Sequence, residues 1–569
     1  MKSTTSSPMN DNLIRISMIA LLLGAPLHAS AAPPPGIGEV LQQANPAAEL
    51  PTKIAPLPRI EGKPADDGPL SVLPGNLPSV AVRGFQFTGN DLYTDAQLHP
   101  LVRDVEGRQL TIAQLDEVAM RITRLYRNAG HFVARAYVPA QEIVDGQVRI
   151  RVIEGHYGDF RLDHRGRLEK ETAQAILNEA RERDTVSLDT LERAMLVLND
   201  TPGVHVTRVS VSPGAQVGTS DFDVATEPTP EFVGAASFDN HGSIYTGRNR
   251  MSLAGAWDGA SRGGDRLDLS ALTSERAGLV SGRLGYGRLL TPAGLRGELA
   301  LSRASYSLGS IYSSLDAVGH ADSVSGQLTY PLVLTGTHRL TASWGGAYTD
   351  LVDEIRSTGT RLPKSVAAVT GGLEYAGIGP GSATQAGALL TIGNLDLRDE
   401  SARAADAAGA GSHGTFSKLG LHVEHRRMLP QEIQLDMRLR AQTTLSGKSL
   451  DGSQKMAVSG ADGVAAYAPG ELLGDSGAVV RFALSRSFRL NDAVSIAPSI
   501  FLDEGRARNR YAMAGIARER SLGDAGLGIA ARYRTATLSL QWITRTHGGE
   551  GLSEPVSKNR VLGQLSVGF

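Results

Sequence analysis

Asp503 and Glu504 are the first residues whose types invite chemistry, because adjacent carboxylates can divide the roles of acid and base. Their spacing argues against that use. Phe501-Leu502-Asp503-Glu504-Gly505 reads as a strand, and neighbours in a strand point to opposite faces, so the two carboxylates do not converge. His131, His156, His241 and His320 fall at no metal-ligand spacing. There is no phosphate loop, and with no cysteine there is neither thiol chemistry nor a disulfide. The reading is a non-enzyme without a cofactor. A formal charge of −2 over 569 residues gives no bias toward nucleic acid.

The charged residues are better explained by the elements that carry them. Ile433, Leu435, Met437, Leu439 and Ala441 alternate with Gln434, Asp436, Arg438, Arg440 and Gln442. The last strand puts Val561, Gly563, Leu565, Val567 and Phe569 on one face, and Leu562, Gln564, Ser566 and Gly568 on the other. A strand face carrying Asp, Arg and Arg in succession meets water, and an opposite apolar face suits lipid. Such strands must close on themselves, since hydrocarbon pairs no backbone group. From Glu231 onward sixteen strand-like segments begin near 231, 248, 264, 278, 294, 322, 338, 365, 384, 415, 432, 475, 494, 521, 535 and 560. Long gaps at 306–321, 349–364, 396–414, 446–474, 506–520 and 547–559 alternate with short ones, as external loops alternate with periplasmic turns. The expected fold is a transmembrane β-barrel of about 16 antiparallel strands. Its lumenal arginines are expected to pair with lumenal acids.

Ahead of the barrel the period changes. Residues 79–155 and 156–228 each read β-α-α-β-β, an internal repeat. In the first, Leu115, Val118, Ile122, Leu125 and Tyr126 form one helical stripe, and Gly130 ends the helix. Before them, residues 32–78 read as a short helix, with Ile37, Val40 and Leu41 on one side, and a proline-rich linker. Lys2 and Arg15, the apolar Ile16 to Ala25 and the Ala29-Ser30-Ala31 site read as a signal peptide over 1–31. Signal and barrel together predict an outer-membrane protein with its two modules in the periplasm and 229–569 in the lipid.

Three stretches then resemble a known family. The first is Ile122-Thr123, Tyr126, Gly130, Ala134-Arg135, Tyr137-Val138-Pro139, Gln141, Ile143, Asp145-Gly146, Val148, Ile150, Val152 and Glu154-Gly155, similar to the POTRA pattern of two-partner secretion transporters, the TpsB family. The second, Phe501, Asp503 and Gly505, resembles the F-x-D-x-G of the thirteenth strand in the superfamily shared with BamA-type assembly factors. The third, Val464, Ala465, Ala466 and Tyr467, lies where the family has the V-R-G-Y or V-R-A-Y tip of its long sixth loop.

The resemblance implies that the loop folds into the lumen and that an arginine at its tip meets the strand-thirteen aspartate. This chain departs from that pattern, with Ala465 where the arginine is expected and Arg438, Arg440 and Arg481 as candidates to compensate. Val82-Arg83-Gly84-Phe85 precedes the barrel and reads as the start of a strand. In related exporters the N-terminal helix plugs the barrel; the sequence leaves open whether residues 33–50 do so here.

The function implied is export of an unfolded, secreted TpsA-like partner, bound by the POTRA modules and passed through the barrel. The resemblance implies an adhesin or cytolysin as that partner, and the sequence does not separate these from a growth-inhibition toxin. Other partners are outer-membrane lipid and the barrel assembly machinery that inserts the chain, for which the terminal Phe569 is the signal; nucleic acid is not one. The alternative is a BamA-like assembly factor, which usually carries three to five modules where this chain has room for two.

Overall fold

The computed structural model describes residues 34–44, 60–62, 79–183, 185–511, 517–555 and 557–569. The expected signal peptide and most of the linker lie outside the described residues. In chain order, α1 (Ile37–Val40) is followed by β1 (Ile60–Glu61), β2 (Ser79–Ala81), β3 (Gly84–Thr88), α2 (Asp95–Leu98), β4 (Gln109–Thr111), α3 (Ile112–Asn128), β5 (Arg135–Tyr137) and β6 (Gln147–Ile153). Thr111 starts α3 as a capping box: its hydroxyl accepts from the Gln114 amide, and the Gln114 side chain accepts from the Thr111 amide. Leu115, Val118, Ala119, Ile122 and Tyr126 form its buried stripe against Phe85, Phe87, Val148, Ile150 and Val152 of the sheet ordered β3-β6-β5.

The second unit comprises β7 (His156–His164), α4 (Lys170–Asn178), α5 (Leu188–Asn199), β8 (His205–Pro213) and β9 (Thr219–Glu227). Its sheet runs β1-β8-β9-β7, so the two-residue β1 from the linker is its outermost strand. Its core takes in Phe132 from the first unit and Leu289 and Leu334 from the barrel. Asp200 pairs with Arg339 at 2.7 Å, and Glu192 accepts from the Gly336 amide, which seats this unit against the periplasmic turns.

The barrel has sixteen antiparallel strands and closes where Phe232–Asp239 meets Asn559–Gly568. Leu299, Leu301, Leu527, Trp542 and Val561 stand on its outer face, as the alternation requires. The starts differ most from expectation in the tallest hairpins. The sixth and eighth strands begin at Ala317 and Thr360, and the expected gap at 349–364 shrinks to a turn at 356–359 between His338–Ile355 and Thr360–Gly379. The ladder between them runs on to Ile355 beside Thr360, and its inward positions carry Asp353, which accepts from the Ile37 amide, and Lys364, which pairs with Asp451, so paired strand continues after the apolar alternation stops. The gap at 396–414 contains a helix, Glu400–Ala408.

Candidate functional site in the barrel lumen

The eleventh strand ends at Thr444 and the twelfth begins at Ser476. The connection between them folds inward, and Val464, Ala465, Ala466 and Tyr467 at its tip are fully buried. The thirteenth strand, Val494–Arg508, supplies the wall behind it. Phe501, Asp503 and Gly505 face in and are buried, while Leu502 and Glu504 face out. Each inward residue has a distinct task. The Phe501 ring lies beneath the Arg481 guanidinium, 5.0 Å from its centroid. Asp503 accepts Arg481 Nε at 2.6 Å and Nη2 at 2.5 Å. Gly505 leaves room for the loop: a Cβ there would stand 2.5 Å from Val458 Cγ1 and 2.8 Å from Val464 Cγ2.

Of the three arginines weighed as replacements for one at position 465, only Arg481 pairs with Asp503. Arg440 donates to the Asp462 carbonyl, and Arg438 lies 3.9 Å from Glu424. The tip is held instead through its backbone. The Ala466 amide donates to Asp524 Oδ2 at 2.7 Å, and Arg560 Nη1 donates to the carbonyls of Ala465 and Tyr467 at 3.1 and 2.7 Å. The Tyr467 hydroxyl donates to the His547 and Gly549 carbonyls, and Arg520 and Arg545 flank its ring at 5.7 and 5.6 Å. Asp524 is the cross-strand neighbour of Asp503, so two buried carboxylates stand side by side; Asp524 Oδ1 has no hydrogen-bond partner among the described residues.

The loop is tied down further out as well. Buried Glu471 accepts from Arg520, from the Leu552 and Ser553 amides and from the Ser553 hydroxyl. Glu554 accepts from Ser243 and from the Ile244 amide. Sequence reasoning missed Asp524, Arg560 and Arg520, and it gave Glu471, which follows the loop tip, no role. Only Asp524 left a trace, as an acid in the apolar run Leu522-Gly523-Asp524-Ala525.

Residues 34–44 sit in the lumen toward its outer end. Ile37 and Val40 are fully buried against Tyr306, Tyr312, Leu351 and Leu450, worth about 1.5–3 kcal/mol each at most. The Ile37 amide donates to Asp353 at 2.6 Å, Arg250 donates to the Gln43 carbonyl and Ser281 to that of Ala44. Burial raises the Glu39 carboxyl to about 7; Lys455 and Lys364 oppose the shift, and Asp451 and Asp353 add to it.

The POTRA-motif residues are brought together as scaffold. The Tyr126 hydroxyl and the Leu92 amide both donate to Glu154 Oε1, at 2.8 and 2.7 Å. Gly130 and Gly155 hold φ of 93° and 88°, and Asp145-Gly146 turns the chain with both φ positive, at 52° and 71°. Arg135 is exposed and Pro139 half-buried. Phe569 exchanges backbone hydrogen bonds with Gly234 across the closing seam. No cluster of metal-ligating side chains occurs among the described residues.

Fold and lumen define an outer-membrane barrel transporter with periplasmic modules. The ShlB-type POTRA domain matches residues 80–155, and the family model of the haemolysin secretion/activation protein ShlB/FhaC/HecB matches 381–531. The heme/hemopexin transporter protein HuxB of Haemophilus influenzae (strain 86-028NP) is 26% identical over 433 residues, 75% of this chain and 76% of that one. The outer membrane transporter CdiB of Dickeya dadantii (strain 3937) is 25% identical over 199 residues, 35% of each chain. The structure of CdiB from Escherichia coli superposes over 100% of both chains with a TM-score of 0.72 at 17% identity. The chain is similar, in both its first module and its barrel, to two-partner secretion transporters of the ShlB/FhaC/HecB type.

Proposed function

We propose that the chain exports one secreted protein through its barrel, after its POTRA modules, placed at 79–155 and 156–228, have bound that protein unfolded. The observation that carries this reading is how the lumen is filled. Two separate elements, the 445–475 connection and residues 34–44, occupy it through side-chain and backbone contacts with no covalent tie. Either can leave and let an extended chain pass. HuxB and CdiB are named as transporters, which supports a transporter reading over catalysis. The partner's class is an adhesin or cytolysin, and folding of that partner outside the cell supplies the direction of transport.

The test is co-expression with any large secreted protein encoded beside this chain, followed by assay of surface and medium. Export that depends on this chain and is lost on deleting residues 79–228 supports the reading. A periplasmic client, with other barrel proteins depleted from the membrane when the chain is absent, supports an assembly factor instead. A client unable to fold that still emerges at the normal rate rules out folding as the drive.

A further inference from the structure

A shallow depression of about 600 Å³ lies on the outer face of the barrel. It crosses the third strand (Asp265–Ser274), the fourth (Leu279–Leu289), the fifth (Arg296–Ser307), the sixth (Ala317–Leu334) and the seventh (His338–Ile355). Leu269, Leu284, Leu301, Val324 and Tyr348 are cross-strand neighbours in one register row and form its exposed, apolar side. The next outward row is Ala271, Gly282, Arg303, Asp322 and Asp350. Gly282 opens the floor: a Cβ there would come no nearer to a neighbour than 3.8 Å, from the Ser270 carbonyl. Arg303 Nη1 pairs with Asp322 at 3.2 Å. Arg398, just past the ninth strand (Ser382–Leu397), donates through Nη1 to Asp350 at 3.1 Å and through Nη2 to the Tyr348 hydroxyl at 3.0 Å. A charged row directly against an apolar row on a lipid-facing wall marks the level where acyl chain gives way to headgroup. The second module contacts Gly336, at the start of the seventh strand, and Asp350 stands toward the other end, so that level belongs to the outer leaflet.

We infer that this depression binds one outer-leaflet lipid with a phosphorylated sugar headgroup, its acyl chain laid over Gly282, Leu284, Leu301 and Val324 and its phosphate on Arg303 and Arg398. The inference goes beyond the export reading and does not depend on it. A guanidinium presents a planar fork of N–H donors that matches phosphate oxygens, and it carries more donors than these ion pairs use. Asp322 engages a single nitrogen of Arg303, whose side chain stays 66% exposed. The two aspartates therefore hold the guanidinium groups in place and leave donors for a ligand. Two arginines against two aspartates leave the cluster without net charge, so it does not draw anions from a distance. A phosphate is held only when an acyl chain seats it against the wall. The site thus selects a molecule that carries both parts and rejects free phosphate. The outer leaflet of a Gram-negative outer membrane supplies that molecule as lipid A, an acylated and phosphorylated sugar, rather than as a glycerophospholipid.

The probe is phosphorylated lipid A, titrated onto the full chain in detergent micelles, with retained lipid counted by native mass spectrometry. The unaltered chain is expected to keep one copy. The same lipid stripped of its phosphates, phosphatidylethanolamine and inorganic phosphate are each expected to bind about tenfold more weakly or not at all. Arg303→Gln with Arg398→Gln is expected to lose the copy to the same degree, and so is Gly282→Leu, which fills the floor. Leu527→Ala, elsewhere on the outer face, is expected to keep it. Heat-modifiability on gels shows that each variant has formed its barrel, and the comparison of lipids on the unaltered chain needs no variant at all. Equal retention of the phosphate-free lipid or of phosphatidylethanolamine would mean an ordinary lipid annulus and overturns the inference. Equal retention of lipid A by the unaltered chain and both altered forms, or no retained lipid A in any of them, overturns it as well.

Discussion

Arg481 grips Asp503 with two parallel hydrogen bonds from one barrel strand to the next. The cation that serves the buried aspartate thus belongs to the wall, and the inward loop next to it brings only a methyl group at position 465. The loop can therefore move without breaking the Arg481–Asp503 pair itself.

Removing Arg481 leaves Asp503 buried and unpaired beside Asp524. Arg481→Ala is expected to cost about 3–5 kcal/mol. The readout is heat-modifiability on gels or thermal melting of the detergent-solubilised barrel. Arg481→Met with Asp503→Leu removes both charges and is expected to recover most of the loss. A single mutant as stable as the parent would show that the pair contributes nothing.

Ala465→Arg does not strengthen the seat of the loop. Both Asp503 oxygens are taken, and position 465 is fully buried, so overpacking of about 1–3 kcal/mol is expected. In an Arg481→Ala background the new guanidinium gains two free acceptors, and the same substitution is expected to stabilise. The double-mutant cycle reads this coupling directly, and additive effects would refute it.

Gly505→Leu places atoms where Val458 and Val464 now lie. The loop tip is expected to leave its seat while the barrel still forms. Conductance in planar bilayers should then rise severalfold. Unchanged conductance would mean that the loop does not limit the pore.

Seating of residues 34–44 is linked to protons. Glu39 titrates at about 7 when docked, against an ordinary 4.5 when released, so the docked state binds the extra proton. Docking is strongest below about pH 4.5 and loses on the order of 3 kcal/mol as pH rises through 7. Channel opening should increase between pH 5 and 8, and Glu39→Gln should flatten that rise. A Gln variant with the original slope would assign the effect to another group.

Tyr126→Phe deletes one of the two donors to Glu154 in the first module. A loss of about 1–3 kcal/mol in that module is expected, with the barrel unaffected. Hydrogen exchange of α3 against the barrel strands measures it.

The barrel was legible because the bilayer imposes a period of two on every strand that crosses it. Near the top of the seventh and eighth strands the inward positions carry Asp353 and Lys364, so 349–364 loses the apolar alternation in sequence although its residues continue the ladder. Tyr126, Gly130 and Glu154 sit in one contiguous stretch and were readable as a motif. The lumen contacts were not. Choosing Arg481 over Arg438 and Arg440 requires the register of strands twelve and thirteen, and Asp524 and Arg560 act on a loop separated from them by 58 and 95 residues in sequence. β1 was hidden for a similar reason: two residues in a proline-rich stretch reveal nothing until their distant neighbour Val209 is placed.

Glu471 ties the 445–475 connection to Leu552 and Ser553, and Glu554, one residue later, ties that next loop to Ser243 and Ile244. Three loops are thereby linked in series through two buried carboxylates. A series of this kind does not loosen by degrees, because freeing one loop strands an acid that held the next. The outer face of the transporter therefore behaves as a single latch, and its current record should step between two levels rather than drift through many.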